Sequence, residues 1–255
     1  SDSYILWPAK IGAFSLVMGR HVCHQDTRDL PFSYLIEQES TSYIVPGANL
    51  KSVGTIRDAK KWPQRDGRTD PDRLDCINFN LLSPYTIRKM VKGREILQSL
   101  QAVSGDKSDT YSFQSGLIRR SSLQKGLRLY SMAIDKFLGN SLITRIMNSS
   151  FSTLDELHEA LQPTTGYGDG GWLDVGGMIV PENAFNALLE HVEDGTVSDI
   201  RLVEARLREM QESYYTYEWK WAYDTIRTCY GVDLHSASVD ELAHLVIRWK
   251  ESVIA

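Results

Sequence analysis

Residues 10–27, KIGAFSLVMGRHVCHQDT, carry a repeat that decides how the first part of this chain is read. Ile11, Val17 and Cys23 recur every six residues, as do Leu16 and Val22, with Gly12 and Gly19 beside them. A period of six matches neither the 3.6 of a helix nor the 2 of a simple strand. It fits the flat sides of a triangular β-helix, in which one aliphatic residue per side points inward and small residues turn the corners. A single rung cannot bury its own apolar face, so such coils need neighbours. Only about one rung can be drawn here. The stretch therefore predicts the end of a longer array, and the opening Ser-Asp without an initiator Met suggests a fragment or a processed chain.

Working outward, residues 28–56 keep a strand-and-turn character. "YLIEQES" and "SYIVPGANL" are apolar segments broken by Ser-Thr-Ser and Pro-Gly. Residues 57–83 are polar, basic and predicted irregular, with Pro63 arguing against a continuing helix and Asp70-Pro71 marking a turn. Helical spacing then takes over. Ser83-Pro84 reads as an N-cap followed by a first-turn proline, and Ile87, Met90, Val91, Arg94, Leu97 and Leu100 follow, with Gly105 ending the run. Tyr111–Ile118 reads as a brief strand or loop. A second helix is predicted over about 122–147, with Leu123, Leu127, Tyr130, Ile134, Phe137 and Leu138 as its stripe and a break at Gly139-Asn140.

Past residue 150 the cap signals repeat. Thr153 with Glu156 is a capping-box pattern opening a short helix to Leu161. Gly166–Gly177 reads as a flexible linker or turn cluster. Its glycines match neither a phosphate loop nor a dinucleotide fingerprint. Pro181 opens a helix with Phe185, Leu188, Leu189 and Val192 inward. A single long helix is predicted over about 198–230, and Ser238 with Glu241 caps the last one. The aromatic run "SYYTYEWKWAY" places Tyr214, Tyr217 and Trp221 on the stripe and Tyr215, Trp219 and Tyr223 off it. Packing on several sides, rather than a carbohydrate platform, is the expectation.

Charge divides the same way. The chain totals -5, but residues 1–150 carry 21 Lys and Arg against 14 Asp and Glu, whereas residues 151–255 carry 7 against 19. Either the halves complement each other or the basic half meets a phosphorylated ligand. No apolar run approaches the roughly 18 residues of a membrane span, and no signal peptide is visible. Three scattered cysteines, Cys23, Cys76 and Cys229, argue against a disulfide framework or a zinc site, so a cytoplasmic setting is expected.

Two clusters could carry chemistry. His21 and His24 lie close together with Asp26 and Asp29 beyond, although an extended segment points the two rings to opposite sides. They read either as surface or turn histidines or as a proton-transfer pair. No third His or Cys supports a metal. In "TIRDAKKWPQRDGRTDPDR", Arg57, Lys60, Lys61, Arg65, Arg68 and Arg73 surround Trp62. Guanidinium forks match phosphate, and an indole can stack on a base. A nucleotide-sugar diphosphate or coenzyme A would fit. Against this, Asp58, Asp66, Asp70 and Asp72 are placed to pair with the same cations. The patch is too short and too balanced for nucleic acid.

The stretches "IGAFSLVMGRH", "DLPFSYLIE", "VPGANLKSVGTIRDAKKWPQRD" and "NLLSPYTIRKMVKGREIL" together resemble the end of a family of large, uncharacterised bacterial hexapeptide-repeat proteins, generally labelled sugar O-acyltransferases. The likeness covers residues 8–148. The tail resembles, more weakly, the helical C-terminal domain of those proteins. The resemblance implies an α+β chain: the end of a left-handed β-helix with short strands over 1–56, a basic loop and helices over 57–150, and an acidic helical domain over 151–255. It implies acyl transfer to a sugar or nucleotide sugar from a coenzyme A thioester. His21 or His24 would be the base, with Asp26 orienting it, and Arg57, Lys60, Lys61, Trp62, Arg65 and Arg68 would hold the phosphates. Such proteins associate around a threefold axis, so a homotrimer is expected, with neither nucleic acid nor membrane as partner. The alternative is a non-catalytic domain that caps the β-helix and joins subunits.

Overall fold

A computed structural model describes residues 3–69, 71, 75–104 and 108–254, Ser104 by its backbone alone. The chain forms two compact units. One comprises Ser1–Gln64 and Thr86–Ile134, the other Arg65–Tyr85 and Asp135–Ala255.

In the first unit, β1 (Tyr4–Ile5) pairs in parallel with β3 (Arg20–His21), and β2 (Leu16–Met18) pairs in parallel with β4 (Tyr34–Gln38). β4 then turns back into β5 (Thr41–Val45) through Glu39 and Ser40, both at positive φ, as a two-residue hairpin requires. A helix, α1 (Val53–Lys61), and a second helix, α2 (Pro84–Ser104), follow. A hairpin, β6 (Thr110–Phe113) and β7 (Gly116–Arg119), completes a mixed sheet in the order β2-β4-β5-β7-β6. α3 (Arg120–Met147) begins directly after it. The core comprises Leu30, Phe32, Leu35 and Ile44 with Ile87, Met90, Leu97, Ile118, Leu123 and Tyr130, all essentially buried. Each such side chain contributes roughly 1.5–3 kcal/mol of burial. Tyr130, wholly buried, satisfies its hydroxyl by donating to the Pro31 carbonyl at 2.8 Å.

The expected left-handed β-helix end is corrected. The described sheets are small, and none is closed or solenoid-like. The parallel pairs are not stacked further, because β4 reverses into an antiparallel hairpin. The six-residue period does not mark an interior either. Leu16, Val22 and Cys23 are exposed, while His21, Gln25 and Thr27 are buried. The basic segment is also more regular than predicted, since residues 53–61 are helical.

The second unit is mostly helical. α4 (Leu154–Leu161) carries the capping box in full: Thr153 Oγ1 accepts from the Glu156 amide and Glu156 accepts from the Thr153 amide. The glycine-rich stretch, expected to be a flexible linker or turn cluster, holds a hairpin, β8 (Trp172–Val175) and β9 (Met178–Pro181). Gly176 and Gly177, at φ 61° and 96°, make the turn that a side chain would strain. α5 (Glu182–Glu193) packs Ala184 onto Met178 and Val180, together with Leu207 and Met210. Leu189 and Val192, expected inward, are exposed. The predicted long helix divides at Ser213 into α6 (Ile200–Glu212) and α7 (Tyr214–Tyr230). α8 (Val239–Ile254) closes the unit, its first turn capped by Ser238 with Glu241.

Gly139-Asn140 proves to be a docking slot within an unbroken α3. A Cβ on Gly139 would lie 2.3 Å from Trp249 Cβ, and Trp249 Nε1 donates to Asn140 Oδ1 at 2.6 Å. Glycine is required here by the close approach of α8.

Candidate functional site

A cleft of about 610 Å³ opens in the second unit, within the range typical of small-molecule sites. One wall is the last part of α3, where Phe137, Ser141, Thr144 and Arg145 share a face at helical spacing, with Asn140 beside them and Asn148 just past the helix end. The opposite wall is the start of α7, with Tyr215, Thr216, Glu218 and Trp219. Asn80 and Leu82 close the cleft. The lining is rich in amides and hydroxyls, with apolar rings between them.

Glu218 is the chemically distinctive group. Burial pushes its carboxyl up to about 7, because removal from water penalises the charged form. Ser141 Oγ lies 3.5 Å from Glu218 Oε1 but also donates to the Phe137 carbonyl at 3.1 Å, so the carboxylate gains little from it. Behind Glu218, one turn earlier on α7, sits Tyr214. Its hydroxyl is buried beside Glu218, Asn78 and Asn80, but makes no hydrogen bond of good geometry with any of them. Burial, with the neighbouring carboxylate, holds this phenol well above its ordinary range. Two anchors keep the walls in place. Trp219 Nε1 donates to the Leu161 carbonyl at 2.9 Å and Arg145 Nε to the Ala160 carbonyl at 3.1 Å. A carboxyl that titrates near neutrality can accept a proton from a ligand hydroxyl or return one.

The residues singled out from the sequence lie elsewhere. His21 is fully buried on β3. Its Nε2 lies 3.1 Å from the Met18 carbonyl, which can only accept, so Nε2 carries the proton and Nδ1 accepts from Ser42 Oγ at 2.8 Å. Both ring nitrogens are engaged within the fold. His24 is exposed, so the two histidines do not share a pocket. Asp26 turns to Arg28, whose Nε and Nη2 grip both carboxylate oxygens and hold that carboxyl below its usual range.

In the basic segment, Arg57 pairs with Asp58 at 3.0 Å, and Arg68 is clamped between Asp66 and Asp75. Lys60, Lys61, Trp62 and Arg65 are exposed. Asp70, Asp72 and Arg73 lie outside the described residues. Among the described residues no cluster of His, Cys, Asp or Glu is arranged to hold a metal. The aromatic run packs on several sides: Tyr214, Tyr217, Trp219, Trp221 and Tyr223 are buried and Tyr215 is exposed.

Sequence reasoning missed Glu218, Ser141 and Arg145. A signal was present, a single acid, Glu218, inside the aromatic run 213–223, four residues after Tyr214.

Residues 1–101 match a family described as Domain of unknown function (DUF4954), and residues 153–255 one described as Domain of unknown function (DUF6819). No curated protein and no solved structure matches the chain. No helix among the described residues is long and apolar enough to cross a membrane.

Proposed function

We propose that this chain binds a sugar in the α3–α7 cleft and that Glu218 takes a proton from one of its hydroxyls. The observation that carries this reading is a carboxyl with its pKa near 7 on the wall of a cleft lined by amides and hydroxyls. Amide and hydroxyl groups serve the alternating donors and acceptors of a sugar ring, and the exposed Tyr215 offers an apolar face.

The resemblance noted in the sequence supplies the reaction class, acyl transfer. The sugar oxygen, its proton passing to Glu218, attacks the carbonyl of a coenzyme A thioester. The carbon–sulfur bond breaks, and the leaving thiolate takes the proton back. A cytoplasmic setting is part of this proposal.

The test is thiol release from acetyl-coenzyme A in the presence of a panel of sugars. Sugar-dependent release is expected, and Glu218→Gln should lower it by about two to four orders of magnitude while leaving sugar binding in place. Full activity in Glu218→Gln, or no sugar binding by the intact chain, overturns the proposal.

One observation favours a second reading, a non-catalytic assembly module. Tyr4, Trp7, Phe14, Leu16 and Val22 of the first unit are all exposed, with Trp7 at 79%. Where such side chains form one contiguous patch they mark an association face. In that reading the chain forms a homotrimer, and light scattering should return three times 28.9 kDa. A monomer at every concentration rejects it.

A further inference from the structure

One charged group of the cleft has no part in the proton transfer. Arg145 lies in the last turn of α3 and lines the cleft. Its Nε donates to the Ala160 carbonyl, which fixes the plane of the guanidinium, and among the described residues no carboxylate pairs with it. Arginine stays charged at any ordinary pH, and its fork matches a carboxylate or phosphate with two parallel hydrogen bonds.

Four residues earlier on the same face, Ser141 brings its hydroxyl within 3.5 Å of Glu218. Ser141 and Arg145 stand one helical turn, about 5.4 Å of rise, apart on α3, and both line the cleft that Glu218 also lines. Asn80, Asn140 and Asn148 line the same space. A neutral sugar would leave the arginine without a counter-charge in the cleft. Glu218 supplies little below neutrality, because it retains its proton there.

We propose that the ligand is an anionic sugar, a hexose bearing a carboxylate or a phosphate, whose negative group pairs with Arg145 while its ring hydroxyls face Glu218 and the asparagine amides. This rests on the sugar-cleft reading above and narrows its substrate class.

The experiment is calorimetric titration of the full chain with glucose, galactose and mannose, the uronates of glucose and galactose, and the three hexose 6-phosphates. At least one charged sugar should bind about tenfold or more tightly than its neutral parent, the scale of one charge-assisted hydrogen bond. A preference for uronate or for phosphate identifies which anion the fork takes. Arg145→Gln should bring the charged and neutral affinities together while neutral binding persists. A purely structural role, in which Arg145 only tethers Ala160 at the end of α3, would change the melting temperature and leave that ratio intact. Equal binding of charged and neutral sugars by the wild type, or a ratio that survives Arg145→Gln, overturns this inference and leaves the sugar cleft standing. Binding of no sugar at millimolar concentration overturns both.

Discussion

Replacing Glu218 with glutamine should change how stability depends on pH, independently of any activity. The carboxyl moves from an unfolded value of 4.5 to about 7 in the folded chain. The folded state therefore holds this proton more tightly than the unfolded state. The group's contribution to stability is full below 4.5 and is lost as the pH rises through about 7. At 1.36 kcal/mol per unit, the difference amounts to on the order of 3 kcal/mol, an upper bound because the side chain keeps some exposure at the cleft wall. Glutamine preserves the shape and cannot ionise. Wild type and Glu218→Gln should differ by a constant amount at acid pH. From there to above neutrality the variant should gain up to about 3 kcal/mol relative to wild type. The assay is urea unfolding at a series of pH values, followed by tryptophan fluorescence. Trp172, Trp219, Trp221 and Trp249, four of the six tryptophans, lie in the second unit, so the signal reports the relevant part. A stability difference that stays flat from acid to alkaline pH would refute the assignment of Glu218 as a neutral-titrating carboxyl.

Four further substitutions test the packing and a cap. Gly139→Ala places a methyl against Trp249 and should cost about 1–3 kcal/mol by overpacking; an unchanged urea midpoint would show that α8 can move aside freely. His21→Ala strips a partner from both Ser42 and the Met18 carbonyl and should cost about 1–3 kcal/mol per stranded group. His24→Ala, at an exposed position, should leave the melting temperature unchanged, and equal losses in the two variants would contradict the arrangement described. Thr153→Ala removes one half of the capping box and should lower stability by about 1 kcal/mol, visible as early fraying of α4 in amide hydrogen exchange.

Cap chemistry was the most legible part of the sequence, because a cap is a local bargain between a side chain and amides three residues away. Thr153 with Glu156 and Ser238 with Glu241 could be read without knowing anything else. The buried stripe of α2 and α3 was legible for the same reason. What failed depended on partners distant in sequence. Gly176-Gly177 looked like slack until Trp172–Val175 and Met178–Pro181 were seen to pair across it. Gly139 looked like a break because the tryptophan that needs its missing methyl is at 249. The six-residue period in 11–23 was real as a pattern, but which of its residues are buried was decided by β4 and β5. Glu218 was overlooked because the aromatic run was counted only for apolar spacing. Its shifted proton affinity arises from burial that no spacing rule records.

The mixed sheet sets the order in which the chain can assemble. β4 and β5 meet across a two-residue turn, so their loop closes almost at no entropic cost. β6 and β7 likewise pair with each other locally. The join between these hairpins, Tyr43 beside Leu117, must wait until everything between them has been gathered in. A pairing between such distant strands is the kind of late, non-local step that slows folding. Until it forms, the outer edges of β5 and β7 are both open to strands from other molecules. Refolding at high protein concentration should therefore fail first at this seam, and a mutation there should tell more on yield than on the finished protein's stability.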